Sequence, residues 1–132
     1  MAPALDHLAR VLRRRSVVFV ISDFFTTGYA RSLQTLARRH DVIALTLTDP
    51  LDLELPDVGL LDAIDAESGQ RLLVDTGDRA IREAYREAAA ERAAARDLRL
   101  SRAGVDRISI HLDEDIGDPV AAFFRRRSQV TA

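Results

Sequence analysis

The sequence predicts an α/β fold: a three-layer, open and mainly parallel sheet with helices on both faces and one inserted β-hairpin. Two observations lead to this class. Two β-branched apolar runs, separated by a helical stripe and joined by short connections, indicate parallel strands, and a third strand pattern follows a long helical segment. The length of 132 residues fits one hydrophobic core, so we treat 1–132 as a single domain.

The first half of the chain predicts the order helix, strand, helix, strand. Apolar residues recur at helical spacing over 4–14. The run 17–21 has no polar alternation, which is typical of a parallel strand covered on both faces. A second helical stripe over 29–37 precedes a strand that begins at Asp41 and stops before Pro50. Together these elements predict a right-handed βαβ unit.

The second half predicts a hairpin and a long helix. Segment 50–58 contains two prolines and scattered acids, so we expect an extended connection. Two short apolar runs within about 59–76 flank a four-residue turn at 67–70, the pattern of an antiparallel hairpin. Asp78 is placed to cap the helix that follows. The remaining predicted elements are a helix over 79–102, a strand over 105–112 and a helix over 120–127. The residues of the long helix expected to face inward are Ile81, Ala84, Tyr85, Ala88 and Leu98.

Composition excludes several classes of protein. No apolar run approaches the roughly 20 residues of a membrane-spanning helix. The N-terminus lacks the apolar stretch of a signal peptide and the chain has no cysteine, so we expect a cytoplasmic protein. The formal net charge of −2 gives no general attraction to nucleic acid. All 19 basic residues are arginine, which excludes lysine Schiff-base chemistry and a Walker-type lysine.

Acidic residues follow all three predicted parallel strands: Asp23, Asp49 and the cluster 113–115. Parallel strands end at one edge of a sheet, where α/β proteins bind ligands. Ser22 and Asp23 carry oxygen atoms of the type that Mg²⁺ prefers, and Thr26 and Thr27 lie nearby in the sequence. Acids at strand ends are also common turn formers and helix caps, and for this chain alone that interpretation is favoured.

The two phenylalanines after Asp23 have two interpretations. Phe24 and Phe25 are core or loop anchors, or they form an exposed protein-binding rim beside Asp23. The three histidines, which share no metal-ligand spacing, are expected at the surface. The arginine clusters fall at predicted helix C-termini, where they complement the helix dipole, with an anion-binding patch as the alternative. These residues are His7, His40 and His111, and arginines 13–15, 38–39 and 125–127.

Several blocks of the chain, in this order, resemble one family. The blocks are LARVLRRRSVVFVISDFF, LARRHDVIALTLTDP, ELPDVGLLDAIDAESGQRLLVDT, and the terminal AGVD followed by DEDIGDPVAAFFRRR. They resemble the C-terminal half of the bacterial domain of unknown function 58 family, whose members are similar to von Willebrand factor A domains. The resemblance covers nearly the whole chain.

The resemblance implies a doubly wound α/β fold with a metal-ion-dependent adhesion site built from three places. These are a D-x-S-x-S motif after the first strand, a threonine from a later loop, and an aspartate after the fourth strand. In this comparison VVFVISD resembles the fourth strand, and Asp23 takes the position of the third element, with Ser22 beside it. No D-x-S-x-S occurs in the sequence. We therefore expect the C-terminal part of a larger domain, with Mg²⁺ in the intact protein and none bound to this part alone.

The function implied by the resemblance is protein interaction, without enzymatic activity. The metal residues would be Asp23 and Ser22, and the partner-binding residues would be Phe24, Phe25, Thr26 and Thr27. Family members are commonly linked with MoxR-type AAA+ ATPases, which implies a role in the assembly or activation of other proteins. A sheet that lacks its central first strand would expose an edge, so we also expect a homodimer.

Other functional classes lack the residues that they need. A receiver-like phosphoacceptor uses an aspartate after a buried strand but also a late lysine, which is absent. A small nucleotide-binding domain needs a glycine-rich phosphate loop, and neither G-x-G-x-x-G nor G-x-x-x-x-G-K occurs. A serine hydrolase of the α/β type needs a G-x-S-x-G turn, which is also missing.

Overall fold

We describe the fold from a computed structural model, for residues 1–65 and 68–130. The order of elements confirms the α/β class with an antiparallel hairpin. The predicted turn at 67–70 includes residue 67, which lies outside the described residues. The elements are α1 (Ala2–Val11), β1 (Val17–Ser22), α2 (Ala30–Ala37), β2 (Asp41–Thr48), α3 (Pro50–Leu53), β3 (Leu60–Ile64), β4 (Arg71–Asp75), α4 (Arg79–Arg102), β5 (Asp106–His111) and α5 (Gly117–Val130).

The main sheet contains three parallel strands in the order β1-β2-β5. Val17 pairs with Asp41 at the start of β1 and β2, and Thr48 pairs with His111 at the ends of β2 and β5. The hairpin β3-β4 forms a separate two-stranded sheet, so it does not widen the main one. Because all three strands run the same way, their carboxyl ends share one edge, which carries the segment after Ser22.

Helices cover both faces of the main sheet. On one face the cluster around Leu33, Leu36 and Leu100 joins α1, α2 and α4 to β1 and β2. On the other face Phe123 of α5 packs against Ile43 and its neighbours in β5. The mainly apolar sequence of β2 therefore fits a strand that is covered on both faces.

Strand β1 differs from its prediction, because only one of its faces is covered. Val18 is buried, but Val17, Phe19 and Ile21 are 55%, 48% and 62% exposed. Helix α5 packs over β2 and β5, and its Phe124 makes an edge-to-face contact with Phe19 of β1, with ring centroids 6.3 Å apart. The unalternating apolar run is thus an edge strand with an open apolar face.

The segment after β2 was predicted to be extended, but it opens with the short helix α3. Asp49 caps this helix: its Oδ1 accepts a hydrogen bond from the Leu51 N–H at 2.9 Å. The Asp52 carboxylate in turn accepts from the Asp49 N–H at 3.0 Å, completing a capping box. Pro50 occupies the first helical turn, where it is tolerated. The sequence signal for this helix is an aspartate at the cap, a proline in the first turn and an acid three residues after the cap. It was missed because two prolines in the segment suggested an extended chain.

Helix α4 has the predicted bounds, and Asp78 caps it by accepting from the Ala80 N–H at 2.8 Å. The predicted inward stripe is wrong at three positions, because Ile81 and Leu98 are 37% and 49% exposed and Ala84 is exposed as well. Ala89 and Leu100 are the residues of α4 that are buried. Two other helices have shifted ends: α1 stops at Val11 rather than at residue 14, and α5 begins at residue 117 rather than at 120.

Candidate functional site at the carboxyl ends of the strands

A tight turn follows β1, and two side chains at the strand end organise it. Ser22 Oγ accepts a hydrogen bond from the Phe24 N–H at 3.0 Å. Asp23 Oδ1 accepts from the Phe25 N–H at 3.1 Å, and the Ser22 hydroxyl donates to the same oxygen at 3.3 Å. Serine and aspartate commonly bond to the backbone two residues on, and here they do so in succession. The predicted site residues Ser22 and Asp23 therefore shape the turn itself.

The turn places the two phenylalanines in different environments. Phe24 is 2% exposed and packs edge to face against Tyr29, with ring centroids 5.3 Å apart. Phe25 is 53% exposed and lies beside the exposed Asp23. Phe24 has a φ of 59°, a left-handed conformation that is strained for a bulky residue. The core-anchor interpretation thus fits Phe24, and the exposed-rim geometry fits Phe25.

Asp23 has one carboxylate oxygen available for a ligand. Its Oδ1 is engaged in the turn, whereas no hydrogen bond to Oδ2 occurs among the residues that the structure describes. Thr26 and Thr27 are exposed in the following loop. Within the described parts of the chain, no group of three or more His, Cys, Asp or Glu side chains is placed to hold a metal. Since Mg²⁺ is often bound through one or two carboxylates with waters, Asp23 fits one ligand of such a site.

The other acids at the strand ends act locally. Asp49 belongs to the capping box of α3. Asp115 Oδ1 accepts a hydrogen bond from the Gly117 N–H at 2.7 Å, at the start of α5. The structure does not bring these acids and Asp23 into one cluster among the described residues. Turn formation and helix capping therefore account for Asp49 and Asp115.

Sequence reasoning missed a row of arginines near the same edge. Arg92, Arg96 and Arg99 of α4 share a pocket with Phe24 and Phe25. Their spacing of four and three residues places them on one face of a helix, and this periodicity was the signal that could have found them. The sequence-based predictions considered only the arginines near helix ends.

Among the described residues that share the pocket with Phe24 and Phe25, none is a histidine or a member of the predicted arginine clusters. His40 is 5% exposed, so its predicted surface position is wrong, and neither ring nitrogen has a hydrogen-bond partner among the described residues. Arginines 13–15 lie beyond the end of α1, not in its last turn. Arg127 binds Asp41, and this hydrogen bond to the carboxylate raises the pKa of Arg127 above its ordinary value.

Comparison with known proteins identifies the family. The model of the family described as "protein of unknown function DUF58" matches residues 1–95, which is more than half of the chain. The chain belongs to the DUF58 family. This confirms the predicted membership of that family, and the matched DUF58 region includes β1, the turn with Asp23, and β2.

Several proteins of mycobacteria are similar to this DUF58 chain. Uncharacterized proteins of Mycobacterium tuberculosis and Mycobacterium bovis are each 38% identical to it over 118 residues, covering 87% of this chain. An uncharacterized protein of Mycobacterium avium is 34% identical over 128 residues, covering 96% of this chain and 75% of its own length. The chain spans only 36% of the length of the M. tuberculosis and M. bovis relatives. No solved structure shows significant similarity to it.

The described helices of the DUF58 chain differ from membrane-spanning helices in length or in hydropathy. Among residues 1–65 and 68–130, none combines the length and the apolar character that crossing a membrane requires.

Proposed function

We propose that this DUF58 chain is a protein-interaction module that forms the C-terminal part of a von Willebrand A-like domain. The observation that carries the proposal is the turn after β1, which presents an exposed carboxylate and an exposed aromatic ring side by side. Asp23 and Phe25 lie at the carboxyl edge of a parallel sheet, the edge at which such folds bind their ligands. Exposed aromatic residues are enriched where proteins bind one another.

A metal-assisted contact would use the residues of this turn. Ser22 and Asp23 would hold Mg²⁺ together with ligands from the rest of the domain, and the ion would supply a positive charge with open positions for an oxygen atom of the partner. The Phe25 N–H holds Asp23 Oδ1 in place, which leaves Oδ2 to bind. Thr26, Thr27 and Phe25 would line the partner-facing loop, whereas the predicted partner-binding role of Phe24 does not fit its burial in the core.

The proposed partner is a protein, namely a MoxR-type AAA+ ATPase in the bacterial cytoplasm. The role would be the assembly or activation of other proteins, with no reaction carried out by the DUF58 chain. Support comes from family membership and from the incomplete metal site. A relative of nearly three times the matched length leaves room for the other metal ligands, since the chain spans 36% of it.

Two substitutions at Asp23 test the proposal. Asp23→Asn keeps an oxygen that can accept from the Phe25 N–H but removes the charge, whereas Asp23→Ala removes both. We expect both variants, made in the longest reading frame that contains this chain, to lose binding to the co-expressed ATPase and to lose Mg²⁺ binding measured by calorimetry. Asp6→Asn, an exposed carboxylate on α1, is the matched control. Undiminished ATPase binding by Asp23→Asn, or in excess chelator, would contradict a metal-assisted contact.

A further inference from the structure

A pocket lies at the carboxyl ends of β1 and β2, beside α4. The turn after β1 supplies Phe24, the end of β2 supplies Leu47, and α3 supplies Leu53. Helix α4 closes the other side with Ala89 and Ala93. We call this cavity the strand-end pocket. Its residues come from four elements, so the fold itself creates the cavity.

The strand-end pocket has the size of a short aliphatic side chain. Its volume is about 70 Å³. This is roughly half of the ~150 Å³ of an engineered apolar cavity that holds benzene. Phe24 and Ala89 in its wall are 2% and 5% exposed, and Phe25 lies at its exposed side. The pocket can therefore enclose one small apolar group but neither a nucleotide nor an aromatic cofactor.

Positive charge lines one side of the strand-end pocket. Arg92, Arg96 and Arg99 line it along one face of α4, and Asp52 is the acidic residue that shares the lining. The Asp52 carboxylate is already committed, because it accepts from the Asp49 N–H in the capping box. With three arginines and one aspartate in its wall, the pocket has an excess of cationic groups.

Two of these arginines have no carboxylate partner in the described chain. Arg96 bonds to Asp97 at 3.1 Å, and Asp97 also pairs with Arg107 at 2.7 Å. Arg92 lies over the Tyr85 ring, 5.6 Å from its centroid. No carboxylate among the described residues lies within ion-pair distance of Arg92 or Arg99. Guanidinium groups bind carboxylates with strong, charge-assisted hydrogen bonds, so both groups can accept an anionic ligand.

We propose that the strand-end pocket binds an acidic peptide segment of the protein partner. One short aliphatic side chain enters the cavity, and neighbouring carboxylates bind Arg92 and Arg99. This inference rests on the proposed protein-binding function and names the chemistry of the partner. Arg92 and Arg99 are seven residues apart, about 10 Å along the helix. Alternate residues of an extended peptide lie about 7 Å apart, and the long glutamate and arginine side chains span the remaining ~3 Å, which favours a segment with two carboxylates over a single terminal carboxylate.

The test uses the blocked tripeptide Glu-Val-Glu as the probe and ¹⁵N-labelled protein. We expect millimolar peptide to shift the amide signals of Phe24, Phe25, Ala89 and Ala93. The blocked peptides Gln-Val-Gln and Glu-Gly-Glu should bind at least about tenfold more weakly, because each lacks one of the two recognised features. Higher salt should weaken the binding of Glu-Val-Glu.

Three variants separate the two parts of the pocket. Arg92→Gln with Arg99→Gln should weaken Glu-Val-Glu binding at least about tenfold by removing the cations. Ala93→Leu should do the same by filling the cavity without changing charge. Arg102→Gln, which removes an exposed arginine at the end of α4 outside the pocket, is the matched control and should stay within about twofold of the parent. The folded state of each variant is checked from its amide spectrum.

Specific results would overturn the inference. Equal binding of Gln-Val-Gln, amide shifts confined to other surfaces, or unchanged binding by the double arginine variant would each do so. The outcome is separable from that of the proposed function, because Asp23 does not line the pocket. If Asp23→Asn abolished ATPase binding while the double arginine variant retained it, the proposed function would stand and the acidic-peptide site would fail.

Discussion

Arg127 of α5 binds Asp41 at the start of β2 through two hydrogen bonds, Nη2 to Oδ1 at 3.0 Å and Nη2 to Oδ2 at 2.8 Å. The same guanidinium lies 3.7 Å from Asp106 of β5 and 5.5 Å from the centre of the Phe123 ring. A single side chain thus ties the last helix to the amino ends of two strands. Both partners of the main ion pair are partly shielded, with side chains 38% and 29% exposed.

Arg127→Met should lower the free energy of unfolding by about 1 kcal/mol, because it leaves Asp41 without its cation and removes the contact with Phe123. For a domain of this size the melting temperature should fall by roughly 4 °C. Thermal unfolding followed by circular dichroism measures the effect. Arg126→Met, at the neighbouring exposed position, is the control. Equal melting temperatures for the two variants would mean that the ion pair contributes nothing to stability.

Tyr29→Phe should keep or raise stability, in contrast to most core substitutions. Tyr29 is 1% exposed, and its hydroxyl has no hydrogen-bond partner among the described residues. Burial of an unpaired hydroxyl costs on the order of 1–3 kcal/mol, so its removal offsets any loss of local contacts. Tyr29→Ala should instead cost about 3–5 kcal/mol, because the ring that packs on Phe24 is lost. Chemical denaturation measures both variants, and a clear loss of stability in Tyr29→Phe would contradict the unpaired hydroxyl.

The open side of β1 can be located from its ladder with β2. The Asp41 N–H donates to the Ser16 carbonyl at 2.9 Å. In a parallel pair, alternate residues direct their backbone groups to the same neighbour. The backbone N–H and C=O of Val18 therefore point to β2, whereas those of Phe19 point to the open edge. The side chain of Phe19 also belongs to the exposed apolar face.

Pairing of two copies through β1 is the dimer that we expect. In an antiparallel arrangement centred on Phe19, Val17 would lie opposite Ile21 of the other copy, and Arg15 opposite Asp23. These side chains are all exposed, and the end pairs have opposite charges, which stabilises cross-strand neighbours. Analytical ultracentrifugation should show a homodimer. A monomer at high concentration would contradict the expectation.

Proline substitutions test the β1 edge directly. Phe19→Pro removes an N–H from the open side, which an edge strand tolerates, so the variant should fold and become monomeric. Val18→Pro removes an N–H that bonds to β2 and should unfold the chain or greatly lower its melting temperature. Phe19→Thr keeps the N–H but lacks the ring. It therefore distinguishes the contribution of backbone pairing to dimerisation from that of the apolar side chain. Dimerisation of Phe19→Pro at the parental affinity would exclude the β1 edge as the interface.

The fold class could be predicted because β1, β2 and the helix between them carry local patterns that tertiary contacts did not override. The exposure of Val17, Phe19 and Ile21 could not be predicted, since an apolar run has the same sequence pattern whether or not a helix packs on it. The burial of His40 depends likewise on how its neighbours pack. Asp23 was recognised by type and position, but only the structure shows how its carboxylate and Ser22 form the turn. The arginines that line the pocket were not predicted as a binding site, because a charged face of a helix is usually just exposed to solvent.

Position 24 is subject to two conflicting requirements. Its backbone conformation suits glycine or asparagine, while its place against Tyr29 calls for a large apolar ring. A substitution that relieves the backbone empties the core, and one that preserves the core keeps the backbone strained. Position 24 should therefore change little as the surrounding loop diverges. Its constraint also extends to Ser22 and Asp23, whose side chains accept the N–H bonds that hold the turn.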